Sequence, residues 1–143
     1  MLNLILSKTF FMCKEKRCVS AKNLYSFRFF GCEIDMQLVS KRRFRVNFSK
    51  NEAMFLESGK TYIYFTYGMY FCFNVVTNKK GIGEAVLIRA LEPIEGIELM
   101  KKRRSVNDNK NLCNGPAKLV EAMGIKKEQN GSDLLNGKLR IEK

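Results

Sequence analysis

The sequence predicts an α+β fold: a single mixed domain with a curved antiparallel sheet, a protruding β-hairpin and short helices. Two aromatic, β-branched runs on either side of Gly68 predict the hairpin. Apolar residues at helical spacing near Pro93 and after Pro116 predict the helices. With 143 residues and 45% hydrophobic content, the chain suits one domain around one core.

Residues 1–50 show weak periodicity and many basic residues, and Lys41-Arg42-Arg43-Phe44-Arg45 reads as a basic loop or strand edge. Thr61-Tyr62-Ile63-Tyr64-Phe65-Thr66 has strand composition, Tyr67-Gly68-Met69 is a turn, and residues 70–77 return as a second strand. After a polar turn, 78–83, a third and largely buried strand spans 84–91, and Pro93 ends it. Ile94, Ile97, Leu99 and Met100 with Glu95, Glu98, Lys101 and Lys102 read as an amphipathic helix, acidic early and basic late as the helix dipole favours. A polar loop, 105–111, precedes a second helix, 117–123, opened by Pro116 and closed by Gly124. Asn130-Gly131 and Asn136-Gly137 are turns, and residues 138–142 alternate as a final strand. The expected division is an atypical basic segment, 1–50, ahead of the body of the domain, 51–143.

The net charge is +12, which favours a polyanionic partner: DNA, RNA or an anionic membrane surface. The excess is uneven, with 11 basic against 3 acidic residues in 1–50 and 15 against 11 in 51–143. Cys13, Cys18, Cys32, Cys72 and Cys113 are odd in number and scattered, as reduced thiols of a cytosolic protein are, and unlike a secreted disulfide framework. The chain has no histidine and no second close cysteine pair, which argues against zinc. No metal or organic cofactor is indicated. The apolar start lacks the basic region and cleavage site of a signal peptide, and no apolar run reaches membrane-spanning length.

Five segments occur in order: Asn51-Glu52-Ala53-Met54-Phe55, the stretch from Tyr62 to Val76, the stretch from Ala85 to Pro93, Asn114-Gly115-Pro116-Ala117-Lys118-Leu119, and Asn130-Gly131-Ser132-Asp133-Leu134. Together they resemble the alkyladenine (3-methyladenine) DNA glycosylases. The resemblance implies a monomeric, cofactor-free enzyme of a bacterial-type cytoplasm, working on double-stranded DNA that contains a damaged purine. Such an enzyme rotates the nucleotide out of the stack and hydrolyses its N-glycosidic bond. It further implies that Tyr67 is the wedge in the minor groove with Met69 beside it, and that Tyr64 stacks on the flipped base. Asn74 would crowd the exocyclic amino group of normal guanine, Leu87 would form a pocket wall, and Arg89 would help to place the attacking water. Asn114, Gly115 and Lys118 would approach the DNA backbone. By spacing alone, Tyr67 and Met69 also fit ordinary core residues on strands, and Asn74 a satisfied core asparagine.

The resemblance stops upstream. The family's hydrolysis rests on a Glu-Thr-Glu-Ala-Tyr-like segment followed by a histidine. In an ungapped alignment the general-base Glu falls on Gly31, the Tyr on Glu33 and the His on Arg42. Glu33 and Asp35 are the nearest carboxylates, and they read better as solvated surface charges. A shifted reading frame or a gene-start error in residues 1–50 accounts for the change of character, and an altered first third is expected to remove strands from the sheet. Two other functions stay open: a DNA-binding remnant that lacks the general base, and a basic domain for RNA or a protein.

Overall fold

Alternation decides which faces of the central strands are covered. In the computed structural model β3 (Thr61–Thr66), β4 (Tyr70–Val76) and β5 (Glu84–Glu95) follow a 3₁₀ turn at Glu52–Phe55. The helices α1 (Ile97–Arg104) and α2 (Pro116–Met123) come next, then β6 (Arg140–Glu142). Two earlier strands, β1 (Ser26–Phe29) and β2 (Cys32–Arg43), complete a six-stranded sheet in the order β3-β4-β5-β2-β1-β6, antiparallel at each junction. The structure describes β1 and β2 by backbone alone, and residues 49–142 otherwise.

Ile63, Phe73, Val75, Val86 and Ile88 point to one face and pack with Leu119, Val120 and Met123 of α2, Met100 of α1, and Leu134, Leu139 and Ile141. Period-2 strands supply one set and the helical stripe of α2 the other. On the opposite face Tyr62, Val76 and Ala85 pack under Ala53, Met54 and Phe55. The Phe55 ring lies so close to Gly83 that a Cβ there would stand 2.5 Å from its Cζ, so the position requires glycine. At the outer edge, Lys60 bridges to Asp133, and the Thr61 and Leu134 N–H groups bond the carbonyls of Ser132 and Gly59 at 2.9 Å each. The exposed edge of β3 is thereby partly covered.

Four expectations need correction. β5 does not stop at Pro93 but continues to Glu95. Proline is tolerated there because β4 pairs β5 only at Ala85, Val86 and Leu87, leaving the far end with β2 as its sole sheet neighbour, and because the register shifts beside Ile34↔Pro93. The first helix therefore begins at Ile97 after a turn at Gly96. It is weakly amphipathic: Met100 is buried and Leu99 exposed. The last strand is shorter than expected, Arg140–Glu142. Finally, the first third does contribute strands. The alternation Glu33-Ile34-Asp35-Met36-Gln37-Leu38 in β2 is a period-2 signal that the surrounding basic residues obscured. Lys41, Arg42 and Arg43 lie at the end of β2, past the reach of β1, in keeping with a strand edge; Phe44 and Arg45 lie outside the described residues.

Candidate nucleic-acid interface

The β3–β4 ribbon is longer than its support. β5 meets β4 only at Asn74, Val75 and Val76, so the outer half of the ribbon overhangs the sheet. The register closes at Thr66↔Tyr70, leaving Tyr67-Gly68-Met69 as the tip, with the Met69 N–H donating to the Thr66 carbonyl at 3.2 Å. Gly68 takes φ 68° without cost, but Tyr67 also sits in the left-handed region, at φ 53°. A side chain with a Cβ costs roughly 1–2 kcal/mol in that conformation. Tyr67 is nonetheless 90% exposed, with no packing to offset the strain.

Beneath the ribbon lies an open hollow of about 360 Å³, lined by Tyr64, Thr66, Tyr67, Tyr70, Cys72, Leu87, Arg89, Pro116 and Ala117. Cross-strand pairing assembles it: Tyr64 stands opposite Cys72, and Leu87 opposite Asn74. Tyr62 backs Tyr64, with ring centroids 5.4 Å apart and planes 29° from parallel. Arg89 shares the face of Leu87, two residues before it, as strand alternation requires. Ile88 faces Val39 and Ala90 faces Leu38, so β5 carries one extra residue at Arg89, and beyond this bulge Leu91 returns to the core face with Ile88. The strand expected to be largely buried is so through Ile88, whereas Arg89 is half-buried.

Asn74 lies two cross-strand pairs deeper than Tyr64 and Cys72, opposite Tyr62, and is fully buried. Its Nδ2 donates to the Tyr62 carbonyl at 2.9 Å and to the Cys72 carbonyl at 3.4 Å. Its Oδ1 is buried with no protein donor within reach. Leaving such an acceptor unsatisfied costs roughly 1–3 kcal/mol.

Other sequence candidates lie apart from the hollow. Met69 is exposed on the opposite flank of the ribbon. Asn114, Gly115 and Lys118 surround the start of α2 without lining the hollow, although Pro116 and Ala117 between them do. Lys118 Nζ donates to Asn114 Oδ1 at 2.7 Å, and Asn114 Nδ2 to Asn111 Oδ1 at 3.0 Å. Gly115 is extended at φ −171°, and an added Cβ would meet only Lys118 at 3.6 Å, so nothing within the fold demands glycine there. Glu33 and Asp35 lie opposite Glu95 and Glu92. At ~3.3 Å per residue those positions are about 20 and 10 Å along β5 from Arg89. Among the described residues, no carboxylate lines the hollow.

Sequence reasoning missed Thr66, Tyr70, Cys72, Pro116 and Ala117. Counting back by two from Asn74 reaches Cys72 and Tyr70, and forward from Tyr64 reaches Thr66, so three of them carried a signal. Pro116 and Ala117 come from a distant part of the chain, where no strand period reaches them; they stood inside the segment 114–119 that carries the resemblance but were not singled out in it.

An exposed aromatic tip above an aromatic hollow, on a strongly basic chain, is a geometry suited to nucleic acid. The sequence pattern of the methylpurine-DNA glycosylases matches residues 39–143, and the chain belongs to that family. The match begins within β2, upstream of Asn51. Relatives that carry the name 3-methyladenine DNA glycosylase include one from Francisella tularensis, 55% identical over 87 residues, covering 61% of this chain and 45% of the relative. Another, from Carboxydothermus hydrogenoformans, is 49% identical over 96 residues, covering 67% and 50%. A third, from Methanoculleus marisnigri, is 45% identical over 98 residues, covering 68% and 51%. The chain spans about half the length of the curated relatives it matches. No helix among the described residues is long and apolar enough to cross a membrane.

Proposed function

We propose that this chain binds double-stranded DNA at a damaged purine, rotates the damaged nucleotide into the hollow beneath the ribbon, and serves hydrolysis of its N-glycosidic bond, with 3-methyladenine-type bases as substrates. One observation carries the reading: Tyr67 stands exposed and strained at the ribbon tip directly above a hollow lined by Tyr64, Leu87 and Arg89. Strain kept at an exposed residue points to function, because burial gives nothing in return.

In this reading Tyr67 fills the space the nucleotide vacates, with Met69 at its side, which offsets an unstacking cost of a few kcal/mol. Tyr64 stacks on the flipped base, a contact of roughly 1–3 kcal/mol. Asn74, beside Leu87, crowds the exocyclic amino group of normal guanine. Arg89 helps to place the attacking water near the phosphate. Asn114, Gly115 and Lys118, at the start of α2, meet the backbone, where helix N–H groups and a lysine favour phosphate. The protein acts as a monomer and without a cofactor, in a bacterial-type cytoplasm where the nucleoid DNA lies. The division at Asn51 marks where the basic first segment gives way to the body of the domain.

A second reading is favoured by the absence of a carboxylate among the described lining residues. The chain would recognise damaged DNA and hold it without hydrolysis, since no general base among the described lining residues stands ready to take a proton from water. A duplex assay separates the two. Release of hypoxanthine or an alkylated adenine is expected of the glycosylase, and lesion-selective binding without release of the remnant. Tyr67→Ala is expected to weaken lesion binding in either case. If lesion and undamaged duplex bind equally well, both readings fail.

A further inference from the structure

A second hollow of about 490 Å³ lies on the other flank of the ribbon. It falls within the range of small-molecule sites, roughly 300–1,000 Å³. The ribbon supplies one wall, Met69, Tyr70 and Phe71, and the end of α2 supplies the other, with Val120 and Ile125 at its base and Lys126 at its rim. Tyr70 and Ala117 belong to both hollows, so the ribbon divides one continuous surface into two compartments. Met69 and Tyr70 are 67% and 48% exposed, a large apolar presence for open surface. Glu121 also lines the hollow, but its carboxylate is engaged by Arg104 at 2.8 Å; Arg103 lines it too, and Lys126 is exposed.

We propose that this second hollow receives a nucleobase of the undamaged strand, the base left opposite the flipped nucleotide. The inference rests on the reading that Tyr67 is a wedge. A wedge that takes the place of one member of a base pair stands between the two strands. The extruded nucleotide then lies along one flank and the complementary strand along the other. The widowed base has lost its partner, and an aromatic and thioether wall beside a lysine offers it a stacking face and a contact for its phosphate.

The test uses the full chain on duplexes with 1,N6-ethenoadenine at the lesion position, whose fluorescence reports extrusion. Photoreactive 5-iodouracil is placed either opposite the lesion or next to it on the damaged strand. Cross-links from the opposite position are expected on the peptide holding Met69, Tyr70 and Phe71, and the neighbouring position should give none there. Lys126→Glu, on an exposed side chain and with the backbone N–H bond to Gln129 retained, should lower the opposite-strand yield by about fivefold while the extrusion signal persists. Opposite-strand cross-links that map only outside the hollow, or a Lys126→Glu yield equal to the parent's, overturn the proposal. An absent extrusion signal removes the wedge reading itself, and this inference falls with it.

Discussion

The two faces of the β3–β4–β5 sheet are built from the same three strands and treated in opposite ways. One is closed: Ile63, Phe73, Val75, Val86 and Ile88 meet α2 and the C-terminal segment with no polar side chain among them. The other is closed only at its inner end, by Phe55 and its neighbours, and toward the tip it carries Tyr64, Leu87 and Arg89 around open space, with Asn74 fully buried behind them and outside the lining. An unsatisfied buried acceptor on Asn74 and a left-handed Tyr67 belong to this second face and its tip. The contrast indicates that stability is concentrated on one side, and that the resulting reserve tolerates local cost on the other.

That division can be broken most sharply from the closed side. Phe73→Ala removes a fully buried ring and should cost about 3–5 kcal/mol of unfolding free energy, read from urea titration. A loss below ~1 kcal/mol would mean that the closed face does not hold the fold. From the open side, Tyr64→Ala should lose about 1–3 kcal/mol of lesion affinity while destabilising the protein much less than Phe73→Ala does. Equal damage to stability by both would erase the distinction. Tyr67→Gly sharpens it further. Relief of the left-handed strain should stabilise the fold by about 0.5–1 kcal/mol, while lesion binding falls. A variant that is less stable than the parent contradicts this account of the tip.

The smallest expected effect concerns the outer edge. The Asp133 carboxyl is held below its ordinary 3.8 mainly by the hydrogen bond from Lys60, with further help from the Leu135 N–H. A depressed carboxylate stabilises the fold above pH 3.8 and loses that contribution as pH falls through its folded value. Lys60→Met should therefore narrow the difference in melting temperature between pH 5 and pH 3. A difference as wide as the parent's would show that Lys60 is not the source of the shift.

The hairpin could be read directly because its information is local. Aromatic and β-branched runs on both sides of a turn-capable glycine declare two strands and a tip at Tyr67-Gly68-Met69, while the exposure of Tyr67, which by spacing alone also fitted a core position, came from the fold. β2 was obscured although its alternation is equally local, because Lys and Arg crowd its end. The run of β5 past Pro93 was misjudged, since the cost of proline in a strand depends on which neighbours the sheet supplies.

Resemblance of ordered segments to a known family was what marked Tyr64, Tyr67, Asn74 and Arg89 as one group, since spacing and strand period alone also fitted ordinary core residues. Folding was needed to give that group a shape. The overhang of β3 and β4 past β5, the bulge at Arg89 that returns Leu91 to the core, and the approach of Pro116 and Ala117 from across the chain all come from pairings between distant segments. Such pairings are chosen by the global packing of one closed face, and no stretch of residues encodes them alone.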